Sequence, residues 1–405
     1  MYRHRLIEAA LREAASCHPA VVVIGARQVG KSTLLRNCFP DAEMVIFDPV
    51  QDVENARHDP DLFLSSHRTP LILDEIQYAP EVAAAVKRAI DRDRRPGMFL
   101  MSGSQQWQVM ARLADSLAGR VAILTLEGFT LGERSGAPEA WLGGWIRNSG
   151  EPPRRRLPST CGCAESIWRG SLPEAAVLPE SRVGGFHEDY FRTYIERDAR
   201  QAGNVSDWQE FAKFARLVFA LSGQEINRNQ LGRELGIHMQ TAKSWLALLT
   251  ATLQWHEVPP LLGSAVKRLS KKPKGYGGDT GLMCAALAIG SPSAVLSHPS
   301  WGALFETAAM GELRRQLAVA APSARLYHWR SHGGAEVDAV IESDGRYYPI
   351  EIKGASRPGP RDMSGLKAFR ATYPDRTAPG LVLAPAETAY PLAPDIWVVP
   401  WDAAP

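Results

Sequence analysis

AVVVIGARQVGKST, residues 20–33, decides the fold. The first five side chains form an unbroken apolar run, four of them β-branched, which reads as a strand buried on both faces of a parallel sheet. A glycine-flanked loop and a helix start follow, and together they carry the pattern GxxxxGK[ST] from Gly25 to Ser32. The two glycines let the backbone curl so that successive N–H groups point inward at phosphate oxygens, an arrangement the following helix N-terminus also favours. Lys31 supplies a positive charge for the β- and γ-phosphates, and the Ser32 hydroxyl is a ligand for Mg²⁺. The expected cradle for ATP is therefore Gly25, Ala26, Arg27, Gln28, Val29, Gly30, Lys31, Ser32 and Thr33.

Moving outward, four more short apolar runs recur in the first third of the chain: MVIFD from Met44, PLILDE from Pro70, MFLMSGS from Met98 and VAILTLEG from Val121. Strands alternating with helical stretches predict a parallel α/β sheet, in which ligands bind at the carboxyl ends of the strands. PLILDE ends in two adjacent carboxylates, the partner that such a loop requires. Asp74 would hold Mg²⁺ with Ser32, and Glu75 would orient and deprotonate the attacking water. At the end of the next strand, Ser104 and Gln105 are candidates for contact with the γ-phosphate or the water. Arg120, closing DSLAGR, is the candidate to stabilise transferred charge, in cis or from a neighbouring subunit.

These segments carry a resemblance. GARQVGKST, LILDEIQ, MSGSQ and SLAGR together resemble a bacterial and archaeal family of AAA-type ATPases whose members have a C-terminal domain of unknown function. The likeness continues through YIERD (194–198), KKPKGYGGDTGL (271–282), WGALFE (301–306), EVDAVIE (336–342) and YYPIEIK (347–353), and so covers nearly the whole chain. Departures are the Pro/Arg-rich stretch at 151–158 and the pair Gly277-Gly278, where an aromatic pair is more usual. Neither touches the nucleotide residues.

Composition changes at 133–165, which is rich in Pro, Gly and Arg and reads as a boundary or a mobile insertion. The expected division is an AAA-type P-loop domain over 1–135, a helical region over 136–265 and a nuclease-like domain over 266–405. Within the helical region, INRNQLGRELGIHMQTAKSWLALL (226–249) has helix-turn-helix spacing, with a turn at Gly236 and WHEVPPLL as a wing. Its second helix would bury Ala242, Trp245, Leu246 and Leu249. A DNA-binding version would present His238, Gln240, Thr241 and Lys243 to a major groove, although few Arg or Lys are available for phosphate contacts. The basic stretch Lys267, Arg268, Lys271, Lys272 and Lys274 reads either as a phosphate contact or as a solvated connection, with Tyr276 as one stacking surface.

EVDAVIESDGRYYPIEIK (336–353) reads as a β-hairpin turning at Ser343-Asp344-Gly345. Asp338 lies on its first strand, while Glu351 and Lys353 share one face of the second because strand side chains repeat every two residues. The pattern resembles the D…ExK signature of restriction-endonuclease-like folds, with Glu306 as an additional acid. In that arrangement the carboxylates of Asp338 and Glu351 hold Mg²⁺ or Mn²⁺ and the lysine positions the attacking water.

A chain of 405 residues with 45 % hydrophobic content can build two or three ordinary cores. A formal net charge of +2 excludes reading a nucleic-acid partner from overall charge. Cys17, Cys38, Cys161, Cys163 and Cys284 are odd in number and scattered, as expected for free thiols in a reducing compartment, and no second Cys or His pair near Cys161-Gly-Cys163 makes a zinc site. The N-terminus reads as an amphipathic helix, no run is long enough to span a bilayer, and the expected location is cytoplasmic. Three functions fit: a Mg²⁺-dependent ATPase whose nucleotide state controls the later regions, acting on DNA; an ATP-regulated, metal-dependent deoxyribonuclease; and a non-enzymatic nucleotide switch docking a protein partner. An oligomer is compatible with each.

Overall fold

The computed structural model describes residues 2–103, 117–148, 150–158, 161–195, 207–262 and 272–405. The chain forms two compact units, one of residues 7–128 with 251–253 and the other of residues 1–6, 129–250 and 254–405.

The first unit runs α1 (Glu8–Cys17), β1 (Ala20–Ile24), α2 (Lys31–Cys38), β2 (Glu43–Ile46), α3 (Pro60–Ser65), β3 (Leu71–Asp74), α4 (Val82–Arg92), β4 (Phe99–Gly103) and β5 (Val121–Thr125). All five expected strands are present, in the order β2-β3-β4-β1-β5. Every neighbouring pair is parallel, with Ile24 beside Gly103 and Thr125, and Ile46 beside Asp74. β1, β3 and β4 are buried along their whole length. Each fully buried Val, Leu or Ile there contributes roughly 1.5–3 kcal/mol of hydrophobic stabilisation, which is why these strands are continuous apolar runs. Val86 and Ile90 of α4 join Val22, Leu71, Leu73 and Met101 in one core.

The second unit starts with α5 (Leu131–Ser135), where Thr130 and Glu133 form a reciprocal capping box, and α6 (Trp141–Arg147). β6 (Arg155–Arg156) follows, then α7 (Cys163–Arg169), α8 (Glu180–Tyr190) and α9 (Trp208–Ala220). The Pro/Arg-rich stretch is not a mobile insertion. β6 pairs with the terminal strand Ala403–Ala404, Leu157 N donates to the Asp402 carbonyl at 2.9 Å, and Arg156 forks onto the Asp402 carboxylate at 2.9 and 2.8 Å.

Next come β7 (Gln224–Glu225), α10 (Arg228–Leu235), α11 (Met239–Ala251), β8 (Trp255–Val258) and β9 (Lys274–Gly277), whose strands form a small antiparallel sheet in the order β7-β9-β8. A division of the chain at 265/266 cuts through this sheet, since β9 lies beyond that point and both its partners before it. The first unit likewise ends before residue 135: Phe129 N donates to the Ser171 carbonyl at 2.7 Å, and Arg5 pairs with Glu133 at 3.2 Å, all within the second unit.

After α12 (Thr280–Ala286), α13 (Pro292–Ser297) and α14 (Trp301–Ala320), a six-stranded sheet is built from β10 (Arg325–Arg330), β11 (Glu336–Ser343), β12 (Arg346–Ile352), β13 (Gly380–Ala384), β14 (Tyr390–Ala393) and β15 (Ile396–Pro400), with α15 (Ser364–Thr372) between β12 and β13. β10, β11 and β12 are antiparallel neighbours, whereas β13 runs parallel to β12. The β11–β12 turn is the expected one. Asp344 and Gly345 have φ of 48° and 76°, and two consecutive left-handed residues are what a tight two-residue hairpin needs.

Candidate nucleotide site and carboxylate cluster

The loop leaves the sheet at Gly25, where an added Cβ would lie 2.2 Å from the Leu126 carbonyl oxygen, so only glycine fits between β1 and the end of β5. Gly30 has φ of 93° and turns the chain into α2, which begins at Lys31. The Lys31 side chain is buried, and its ammonium donates to the loop's own carbonyl oxygens, Gly25 O at 3.1 Å and Ala26 O at 2.9 Å. Val29 is buried, Ser32 is half-buried, and Gln28 and Thr33 are exposed.

Asp74 ends β3 and is 2 % exposed. Its carboxylate accepts a hydrogen bond from the Ser102 hydroxyl on β4. Glu75, with φ of 56°, turns away from the strand, and its carboxylate accepts from the buried Gln77 amide. Lys31, Asp74 and Glu75 thus lie at the carboxyl ends of β1 and β3, on one edge of the parallel sheet. Ser102 and Gln77 were not singled out by sequence reasoning. A usable signal existed for Ser102, the lone hydroxyl in an apolar strand one residue before its glycine terminus. Ser104 and Gln105 lie outside the described residues.

Arg120 does not join this group. It precedes β5, its carbonyl accepts from Ala20 N at the amino end of β1, and its guanidinium pairs with Asp91 at 2.6 Å. A five-residue strand spans roughly 16 Å, so Arg120 stands at the opposite edge of the sheet and has no role in cis at this loop.

A second cluster lies in the other unit. Asp338 on β11 and Glu351 on β12 are buried, and Glu306 on α14 is half-buried beside them. The unexpected member is Lys274 of β9, whose ammonium sits 3.2 Å from Glu306 Oε1 and 3.2 Å from Asp338 Oδ1. Tyr276 OH donates to Glu306 Oε1 at 2.7 Å, Ile352 N donates to Asp338 Oδ2 at 3.0 Å, and Lys353 pairs with Glu351 Oε1 at 2.6 Å. Lys274 and Tyr276 are therefore not a solvated phosphate contact and a stacking surface.

Burial sets the electrostatics here. It pushes the Glu351 carboxyl up to about 8, with Asp338 adding to the effect and Lys353 opposing it. Burial and Asp338 also raise Glu306, against the pull of Lys274 and Tyr276. Burial alone would lower Lys274, but Asp338 and Glu306 more than reverse it and hold the ammonium above the ordinary lysine range. Neighbouring His328 is pushed down to about 4 by burial and by Lys274. Among the described residues no three His, Cys, Asp or Glu side chains are grouped to hold a metal ion.

On α11, Ala242, Trp245, Leu246 and Leu249 are buried as the helical spacing requires, while Gln240 and Lys243 are exposed and Thr241 is half-buried; His238, just before the helix, is exposed. Residues 263–271, with most of the basic stretch, lie outside the described residues. All five cysteines are free, and burial pushes the thiols of Cys38 and Cys284 up to about 11 and 12, so neither is a nucleophile near neutral pH. Among the described residues no helix is long and apolar enough to cross a membrane.

Residues 17–135 match the model of the AAA domain, residues 162–293 that of a domain of unknown function (DUF8612) and residues 301–404 that of a second (DUF4143). Two mycobacterial proteins, from Mycobacterium bovis and Mycobacterium tuberculosis and both described as uncharacterized, are 31 % identical over 398 residues, which span 97 % of this chain and 82 % of theirs. A solved Walker-type ATPase of Pyrococcus abyssi aligns with 69 % of this chain and 94 % of its own at 14 % identity, with a TM-score of 0.40, too low to bear on the overall fold. With nearly its whole length matched at that identity, the chain belongs to the same family as the two mycobacterial proteins, with an AAA-type P-loop domain at its front and DUF4143 at its end.

Proposed function

We propose that the chain is a Mg²⁺-dependent ATP hydrolase. The observation that carries this reading is the edge shared by Lys31, Asp74 and Glu75 at the carboxyl ends of parallel strands. The donor set suits a magnesium nucleotide. Lys31 already donates to two carbonyl oxygens of the loop, and phosphate oxygens would give its ammonium ionised acceptors. Asp74 is a buried carboxylate whose described partner is a hydroxyl, so it suits an outer ligand of the ion beside Ser32. When bound, Mg²⁺ neutralises charge on the β- and γ-phosphates. Backbone N–H groups of 25–33 cradle those phosphates, and Lys31 adds positive charge. Glu75, steadied by Gln77, takes the proton of the attacking water.

The test is ATP turnover by wild type, Lys31→Ala and Glu75→Gln, with and without single- and double-stranded DNA. Loss in both variants supports the reading, and wild-type turnover in both overturns it. DNA as the macromolecule acted on is supported by the order α10, turn, α11, β8, β9, which is that of a winged helix, and by exposed Gln240 and Lys243 on α11 with exposed His238 just before it. Salt-sensitive DNA affinity lost in a Gln240→Ala/Lys243→Ala protein would support that part, and salt-insensitive or absent affinity would remove it. The deoxyribonuclease reading gains nothing from the carboxylate cluster, because a lysine ammonium stands between two of its acids.

A further inference from the structure

Glu306, Asp338 and Glu351 reach one place from α14, β11 and β12, and each brings an oxygen that is already engaged. Lys274 Nζ takes Glu306 Oε1 and Asp338 Oδ1, both at 3.2 Å. Tyr276 takes Glu306 Oε1 as well, the Ile352 amide takes the other Asp338 oxygen, and Lys353 takes Glu351 Oε1. Glu351 Oε2 is the one buried carboxylate oxygen of the three with no partner among the described residues. A divalent ion would need several of these oxygens at about 2.0–2.6 Å around one centre. Instead, two of them converge on a single nitrogen that already carries a positive charge.

We propose that Lys274 is the resident cation of this cluster. It stands where a divalent ion would, keeps the carboxylates free of metal, and clasps β9 to α14 and β11. The side chain is well placed for this. It is 13 % exposed, so water screens the pairs poorly, and it arrives on a strand pinned on both sides by β7 and β8. Inside one compact unit the clasp joins the small antiparallel sheet to the six-stranded sheet, adding to the backbone link in which His328 of β10 bonds Pro259 and Leu261 just past β8. A metal ion can enter only if Lys274 leaves.

The test uses the full chain without nucleotide and counts bound Mn²⁺ by electron paramagnetic resonance in wild type, Asp338→Asn, Lys274→Met and Lys274→Met/Asp338→Asn. Wild type and Asp338→Asn should bind equally, since the cluster holds no metal while Lys274 is in place. Lys274→Met should bind one further Mn²⁺ per chain, at least tenfold more tightly than any such site in wild type, and the double variant should lose it. Asp338-dependent Mn²⁺ binding by wild type overturns the proposal without reference to any lysine variant. So does a folded Lys274→Met protein, judged by circular dichroism, that gains no Mn²⁺. Should Lys274→Met fail to fold, the comparison of wild type with Asp338→Asn still decides it.

Discussion

Lys31, which is buried, and Lys274, which is half-buried, each stand at the first residue of an element, and the atoms they rest on set them apart. Lys31 donates to two neutral carbonyl oxygens within its own loop, five and six residues away. Lys274 donates to two carboxylates, 32 and 64 residues away. An ammonium is bonded more strongly by a carboxylate than by a neutral carbonyl, so these acceptors grip the second lysine more firmly than the first. The nucleotide loop is an incomplete arrangement that an anion would finish. The cluster has its cation supplied from the chain. Similar residue types, a lysine beside acids at strand ends, thus make a binding site in one unit and a clasp in the other.

The largest test of this contrast is stability. Lys274→Met leaves buried Asp338 and half-buried Glu306 without their cation and should cost about 3–5 kcal/mol in urea unfolding of the unit that holds it. Lys31→Met should cost less than about 1 kcal/mol. Equal losses would break the comparison. In the nucleotide unit, Glu75→Gln should lower ATP turnover by roughly 10²–10³-fold while leaving ATP affinity within about twofold, measured by single-turnover and equilibrium-binding experiments. A parallel loss of affinity would make Glu75 a binding group and remove it from water activation.

His328 sharpens the electrostatic side. Its folded value of about 4 lies below the ordinary 6.5, so between those values the unfolded chain binds more protons than the folded one. Its contribution is therefore fully present above about pH 6.5 and is lost as pH falls from there through 4, by on the order of 3 kcal/mol. His328→Gln should flatten that part of the stability–pH curve, and an unchanged curve would show that the imidazole is not held neutral. The smallest effect expected is that of Ser102→Ala, about tenfold in turnover, from the loss of one hydrogen bond to Asp74. No change would leave Asp74 independent of its neighbour on β4.

Much of the fold was legible because the information was local. The central strands of the first unit, β1, β3 and β4, are buried along their whole length, and a strand covered on both faces reads as a largely apolar run. Gly25 and Gly30 follow from a close approach and a left-handed turn, and Asp344-Gly345 announces its hairpin for the same reason. The buried stripe of Ala242, Trp245, Leu246 and Leu249 follows from helical spacing. Arg120 was misplaced because a motif gives order along the chain, whereas a parallel strand separates its first residue from its last by its own length. The Pro/Arg-rich stretch looked unstructured because what orders it, Asp402, lies at the far end of the sequence.

By itself, then, the sequence determined a phosphate-binding loop on a parallel sheet, the two acids of its neighbouring strand, and a C-terminal hairpin carrying Asp338 and Glu351, since each depends on residues a few positions apart. Only the tertiary structure decided that Ser102 and Gln77 support the two acids, that Arg120 faces the other edge, and that Lys274 enters the carboxylate cluster. Those outcomes depend on which strands become neighbours. A charge in a sequence has no partner until packing removes water and leaves it one.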